Sequence, residues 1–600
     1  MMKRLLFLIL IANVTLFAMT KKTNKDTVDD WEYNSTIEMK DSMRTMPTMG
    51  NMGAKGGVVA MSAPTPKSFR SVKKVGMAVG GAKDTNNFKA NIDKGYLPKL
   101  DSITYEGQFY NHYFDTGLNG DTCKDLFCPS YSSAKRLNSF SNEDEFFLSV
   151  GLNSGIEEGN FKRKKLNLVV VLDISGSMGS SFDAYHYDKM GNKVANEDKS
   201  KKKKMQIATE SIVAMLSHLK DDDRLGIALF DHGSYKAKPL NLVANSDKEA
   251  IREHILALTE RGGTNWSAGY KEGLGLFEGV NTSDKLYENR IIFLTDAMPN
   301  TGELSKNKLF GLAKNASERN IHTTFIGVGV DFNNDLVEYV SKTKGANYFS
   351  VHSSKAFSKL LDEEFEYMVT PLVYDLELKL SSSNYSIEAV YGSPDAKIAT
   401  GQIMKVNTLF PSKNDGTATK GGVVLLKLKK LGEGSRDDIK LDVSYTDVNG
   451  KAFANAQKIS FKSQGSYYYD NSGIQKAIIV SDYVTIMKNW LMDTRAGCND
   501  DVKWVMQDTP AIMKRCMIYP PKHPLYPVMA TWEKKSCKLK VSAGYKKLFQ
   551  MFKKSYVAEM NTLGDDSLKK ELTILNTLIG QTTSEITPVK KPVDDWQFKN

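Results

Sequence analysis

The stretch Leu166-Asn-Leu-Val-Val-Val-Leu172, joined directly to Asp173-Ile174-Ser175-Gly176-Ser177, constrains the chain most. A run of Val and Leu this dense suits a strand covered on both faces. Such a strand belongs to a parallel sheet with helices packed on either side. The next two hundred residues agree with that reading. Met205 to Leu219 sets Ile207, Ile212, Met215, Leu216 and Leu219 on one helical face. Strand-like segments recur at Leu225–Phe230, Ile291–Thr295, Thr323–Val328 and Tyr348–Val351. Helical stretches separate them at about Ala250–Leu258, Ser267–Phe277, Lys308–Arg319 and Leu336–Ser341, and a helix from Ala356 to Met368 closes the unit. Strands alternating with helices predict an α/β, Rossmann-like doubly wound domain over 161–368.

Six hundred residues exceed one hydrophobic core, and several domains are expected. Residues 1–20 have a basic head, an apolar stretch from Leu5 to Phe17 and small residues at Ala18-Met19-Thr20, the pattern of a secretory signal peptide. The apolar stretch is short for a bilayer span and Asn13 interrupts it, which favours cleavage; an uncleaved N-terminus would tie the chain to a membrane. The expected location is secreted, periplasmic or cell-surface. Residues 21–98, rich in Gly, Lys, Thr, Ser and Met without periodicity, read as a flexible tether. Within it Met39, Met43, Met46, Met49 and Met52 have soft thioethers that could hold Cu(I), but a linker that happens to be methionine-rich is the preferred reading.

A β-rich segment spans 99–160, with strands such as Phe146–Val150. Beyond the α/β domain, 369–465 alternates with period two, as in Leu376-Glu-Leu378-Lys-Leu380, and reads as a β-sandwich-like domain. Isolated hairpins are marginal in water, so these two β-rich segments are expected to share one unit, with the α/β domain inserted between them. From 466 to 600 the chain reads as mostly helical, with Ile478, Tyr483, Ile486, Trp490 and Leu491 at helical spacing. Cys123 and Cys128 could close a small loop; among Cys498, Cys516 and Cys537 the pairing is open.

Eighty-one basic against 70 acidic residues leave a net charge of +11, mild for this length, and nucleic acid is not called for. The Lys201–Lys204 run reads as a solvated face. No CxxC pair and no HExxH motif is present, which argues against zinc ribbons and zinc hydrolases.

In open α/β sheets, ligands bind beyond the carboxyl ends of the strands, beside the topological switch point. Asp173, Ser175 and Ser177 stand there. Thr264 lies in the loop Gly262-Gly263-Thr264-Asn265, and Asp296 follows another apolar strand. Two carboxylates and three hydroxyls make a hard, all-oxygen donor set that suits Mg²⁺, less strictly Mn²⁺ or Ca²⁺. These five residues resemble the metal-ion-dependent adhesion site of the von Willebrand factor type A domain without a gap. The larger layout is similar to inter-alpha-trypsin inhibitor heavy chains and related secreted bacterial proteins. The resemblance implies that the hydroxyls bind the metal, that the aspartates act directly or through water, and that a partner's carboxylate takes the last position. An insert at about Gly179–Ser200 departs from the family pattern and leaves the partner surface open. The expected function is therefore metal-dependent protein binding or adhesion toward an extracytoplasmic protein presenting an acidic side chain. An envelope scaffold with a structural metal is the alternative. A Mg²⁺-dependent hydrolase is disfavoured, because no phosphate-cradling Gly-rich Lys loop comes after Leu172.

Overall fold

The computed structural model describes residues 27–34, 74–83, 85–93, 95–118, 123–138, 141–180, 186–187, 193–194, 202–296, 306–328, 342–351, 354–393, 403–432, 438–461, 467–495 and 537–582. The expected signal peptide, the methionine series and the helix at Leu336–Ser341 lie outside them, as does the pairing of Cys498 and Cys516.

Two sheets dominate. The first has seven strands in the order Ser234–Leu242, Arg224–Phe230, Lys165–Asp173, Tyr287–Thr295, Ile321–Val328, Asn347–Val351, Gly81–Ala82. All pairings are parallel except that of Ser234–Leu242, an antiparallel edge strand whose alternation is too irregular to read from sequence. Leu166 to Leu172 is buried throughout. Leu168, Val170 and Leu172 pack on one side with helices Lys204–Leu216, Lys248–Leu256 and Ser354–Leu361. Val169 and Val171 face the other side, with Trp266, Tyr270 and Ala316 from helices Trp266–Gly275 and Lys306–Glu318. Helices on both faces make the domain Rossmann-like and doubly wound. The expected closing helix is two, Ser354–Leu361 and Phe365–Val369.

The second sheet is antiparallel and ten-stranded. Its main path runs Tyr385–Tyr391, Val423–Lys430, Asp144–Glu157, Lys74–Val79, Ile403–Ser412, Val373–Ser381, Asp438–Asp447, Ala452–Ser460. Val423 to Leu428 pair with Gly151 to Phe146, which joins segments on either side of the α/β domain. The sheet curls: Phe461, beyond the last strand, packs on Phe146 and Tyr385 near the other end. The 369–465 segment is thus no separate sandwich, because its strands find their neighbours in 74–79 and 144–157. Helices Ser472–Arg495, Ala543–Leu563 and Lys569–Gly580 cover an outer face together with Asn86–Asp93 and Tyr105–Tyr110, around Phe147, Leu425, Tyr483 and Trp490. Cys123 and Cys128 form a disulfide, and Cys537 is also disulfide-bonded.

The tether reading of 21–98 is corrected in two places. Lys74–Val79 is a central strand, with Met77 fully buried, and Phe88 and Ile92 anchor the helix Asn86–Asp93. Six residues containing a glycine are too short for periodicity to reveal them. Residues 27–34 lie against the edge strand Ser234–Leu242, where Glu32 N–H donates to Ala237 O at 2.7 Å. Polar contacts hold most of this segment, and Trp31 and Tyr33, which pack against the core, are too few to make an apolar pattern.

Gly80 alone separates a strand of one sheet from a strand of the other. Its N–H donates to Thr408 O at 2.8 Å, and an added Cβ would lie 3.1 to 3.3 Å from Phe410, Thr408 and Ala346. Lys83 closes this seam. It is buried, donates to Val79 O, and sits 4.5 Å from the Tyr110 ring centroid.

Two outcomes are expected. Met77→Ala should cost about 3 kcal/mol in denaturant unfolding, and limited proteolysis with mass mapping should spare 74–98 while the sheet survives. Early cuts there would contradict the placement. Burial pushes the Lys83 ammonium down to about 7 from 10.5. Between those values the unfolded chain binds the extra proton, so this residue's contribution to stability rises with pH. The difference in unfolding free energy between the wild type and Lys83→Met should therefore climb from about pH 7 to about pH 10. A flat difference would show that Lys83 stays charged.

Candidate functional site

The chain passes from Lys165–Asp173 to Arg224–Phe230 on one side, then returns to Tyr287–Thr295 on the other. The carboxyl end of Lys165–Asp173 is therefore the topological switch point, and Asp173 and Asp296 end adjacent parallel strands there. Both carboxylates are fully buried. Asp173 Oδ1 accepts from Ser175 N–H at 2.8 Å, and its Oδ2 accepts from the Thr295 hydroxyl at 2.5 Å. The Trp266 indole donates to Thr295 Oγ1 at 3.1 Å, which fixes that hydroxyl. Ser175 Oγ and Ser177 Oγ lie 3.0 Å apart, and the Ser177 hydroxyl donates to Asp296 Oδ1 at 2.7 Å. Ser177 and Gly176 are exposed, so the buried carboxylates meet solvent through this pair.

The Thr264 loop is clamped against the serine loop. Arg261 N–H donates to Ile174 O at 2.6 Å, and Gly176 N–H to Gly262 O at 3.0 Å. Gly262 has φ +68°, a left-handed conformation in which a Cβ would strike His232 and Asp231. Asp231, itself buried, accepts from Arg261 Nε and from the Tyr235 hydroxyl, each at 3.0 Å, and braces this rim. Thr264 is buried in the loop so held. Four of the five expected residues thus join one hydrogen-bonded chain, and the fifth stands on a loop fastened to it.

Lys204 belongs to the site, although the run Lys201–Lys204 reads in sequence as a solvated face. It opens helix Lys204–Leu216 with its side chain buried, and Nζ donates to Asp296 Oδ2 at 2.9 Å. Lys202 and Lys203 are exposed, paired with Glu210 and Glu260. A signal exists in the sequence: Lys204 immediately precedes Met205 and Ile207, which begin the buried face. Lys204 N–H also donates to Ser180 O at 3.0 Å. The ends of the insert therefore meet, and the hairpin His186–Tyr187/Lys193–Val194 lies within the excursion.

Burial first, and then the charge of Asp296, hold the Asp173 carboxyl well above the usual carboxylate range. A cation would relieve both. Neighbouring oxygens around an octahedral ion with bonds of about 2.1 Å are about 3 Å apart. The separations of 2.7 and 3.0 Å along Asp296, Ser177 and Ser175 match that spacing, and the donor set fits a small hard cation. Among the described residues no group of three His, Cys, Asp or Glu side chains gathers to hold a metal, and this site offers two carboxylates with hydroxyls.

Residues 167–363 match the von Willebrand factor type A domain. Such a domain points in general to protein binding or adhesion. The chain is similar to inter-alpha-trypsin inhibitor heavy chain H3 of Rattus norvegicus, at 24% identity over 224 residues, 36% of this chain and 22% of that protein. Heavy chain H2 of Mus musculus is 21% identical over 217 residues, 35% of this chain and 20% of that one. The match spans about a fifth of the length of these curated relatives. Among solved structures, a von Willebrand factor type A from Catenulispora acidiphila is similar with TM-score 0.39 and 12% identity, over 72% of this chain and 96% of that one. Among the described residues no helix is long and apolar enough to cross a membrane.

Thr295→Val should lower stability by about 2 to 3 kcal/mol, since it removes the hydroxyl that donates to the buried Asp173 carboxylate and accepts from the Trp266 indole. Denaturant unfolding without divalent cations checks this. A neutral result would show that the hydrogen bonds to Thr295 do not hold Asp173.

Proposed function

We propose that this is an exported protein-binding or adhesion protein whose A domain holds Mg²⁺ through Asp173, Ser175, Ser177, Thr264 and Asp296. The observation that carries the reading is the continuous oxygen chain at the switch point, opening to solvent at Ser177. When bound, the ion would serve as an electrophile for a partner's carboxylate. Lys204 sharpens this charge argument. Two aspartates, one lysine and a divalent ion sum to +1, which a single partner carboxylate neutralises. The donors among these residues are committed to ligation and bracing, and none of them is positioned as a nucleophile or general base. A binding role therefore accounts for the site better than hydrolysis. Export rests on the apolar N-terminal sequence alone.

Asp173→Ala should abolish Mg²⁺ binding by titration calorimetry and Mg²⁺-dependent capture of envelope protein, while the fold persists by circular dichroism. Retained affinity would overturn the assignment. Lys204→Met should act in the opposite sense on the metal. It removes a competing charge from Asp296, so Mg²⁺ affinity should rise at least tenfold while the metal-free protein loses about 3 kcal/mol. Unchanged affinity would remove Lys204 from the site.

A further inference from the structure

A cleft on the A domain, reaching at Tyr33 to the rim of the candidate site, is filled by residues of this chain. Val28-Asp-Asp-Trp-Glu-Tyr33 lies along the edge strand Ser234–Leu242 and helix Lys248–Leu256. Val28 N–H donates to Asn245 O, and Asp247 N–H to Val28 O, each at 2.9 Å. Asp29 Oδ2 lies 2.9 Å from His254 Nε2. Asp30 Oδ2 accepts from Lys238 Nζ and Asn241 Nδ2, each at 2.8 Å, and from Ser246 Oγ at 3.1 Å. Lys238 is buried, so the cleft demands an anion. Trp31 stacks on His254 at 5.2 Å. Glu32 makes only a half-exposed pair with Lys236. The Tyr33 ring lies 5.6 Å from the Arg261 guanidinium.

The chain contains this motif twice. Residues 593–598 read Val593-Asp594-Asp595-Trp596-Gln597-Phe598. Of six tryptophans in 600 residues, two come directly after Val-Asp-Asp. The four residues kept include Asp29, Asp30 and Trp31, whose side chains make the charged and stacked contacts with His254, Lys238, Asn241 and Ser246. Glu→Gln gives up only the half-exposed ion pair, and Tyr→Phe keeps the ring. The repetition thus follows the energetics of the cleft.

We propose that this cleft is a docking site for the Val-Asp-Asp-Trp motif, and that the C-terminal copy of one molecule enters the cleft of a second molecule when residues 28–33 vacate it. A tail that must run around its own domain spends most of its reach, so the second copy is taken as the occupant. Helix Lys569–Gly580 packs on Asn86–Asp93, which packs on Asn347–Val351, toward the far edge of the seven-stranded sheet from the cleft. Crossing from Asn347–Val351 to Ser234–Leu242 takes five strand spacings, about 24 Å in a straight line. The path around the domain is longer. The twelve residues 581–592 span at most about 40 Å. A tail from another molecule has no such limit. Head-to-tail docking of this kind is heterologous and propagates into rings or open chains. The segment 28–33, already tethered, competes at high effective concentration and keeps such assembly weak until it is released.

The test uses the full chain carrying Asp30→Asn and Trp31→Ala, with Trp31→Ala alone as the substitute should the pair not fold. Labelled peptides 27–34 and 592–600 are titrated by fluorescence anisotropy. Both should bind, wild type should bind each at least tenfold more weakly, and adding Lys238→Met should abolish binding. Binding of 27–34 without 592–600 would overturn the proposal, and so would binding of neither. Sedimentation of the released variant should show concentration-dependent association that Trp596→Ala removes. A monomer at every concentration would also overturn it.

Discussion

The burial of Lys165–Asp173 on both faces is the constraint on which the remaining architecture depends. A strand with apolar side chains on both sides needs a cover of helices on each, and neighbours that complete its ladder. Once Arg224–Phe230 lies on one side and Tyr287–Thr295 on the other, the connections must diverge at the strand's carboxyl end. That divergence leaves a gap lined by loop backbone. Polar groups collect there because the loops must satisfy their own donors and acceptors. Asp173 accepts from the Ser175 amide before it serves any ligand. The site is therefore a consequence of the sheet's topology, tuned by the choice of oxygen side chains.

The same logic governs the junction between the sheets. Lys74–Val79 lies between Asp144–Glu157 and Ile403–Ser412, while Gly81–Ala82 extends the other sheet beside Asn347–Val351. With one residue between them, the two sheets cannot reorient without breaking a ladder. The inserted A domain is thus held at three crossings: this one, the entry after Glu157 and the exit before Val373. An insertion joined by its two ends alone could swing; this one is pinned.

The seven-stranded sheet is largely legible in the sequence because its signal is local: apolar runs, helical spacing and oxygen residues at strand ends. The expected strands Leu225–Phe230 and Thr323–Val328 fall within a few residues of Arg224–Phe230 and Ile321–Val328. What escapes depends on partners distant in sequence. Lys74–Val79 is a strand because Asp144–Glu157 and Ile403–Ser412 flank it, and nothing in its own six residues says so. Lys204 resembles its exposed neighbours until the helix turns it inward onto Asp296. In the site, residue types are readable from sequence; which charges are already answered is not.

Three buried lysines show how the fold meets one electrostatic problem in three ways. At the sheet seam, Lys83 sits against aromatic rings, and burial pushes its pKa down to about 7, so the proton itself is surrendered near neutrality. Lys204 keeps a counter-charge from the site, Asp296, and so couples the helix start to whatever the site holds. Lys238 takes its counter-charge from Asp30, more than 200 residues away in sequence. The first solution is self-contained and is unaffected when partners change. The other two tie a buried charge to a carboxylate that another cation or another segment can claim. Under the proposed function, exchange at those two places would couple each buried charge to what the protein binds, whereas the seam at Lys83 stays fixed.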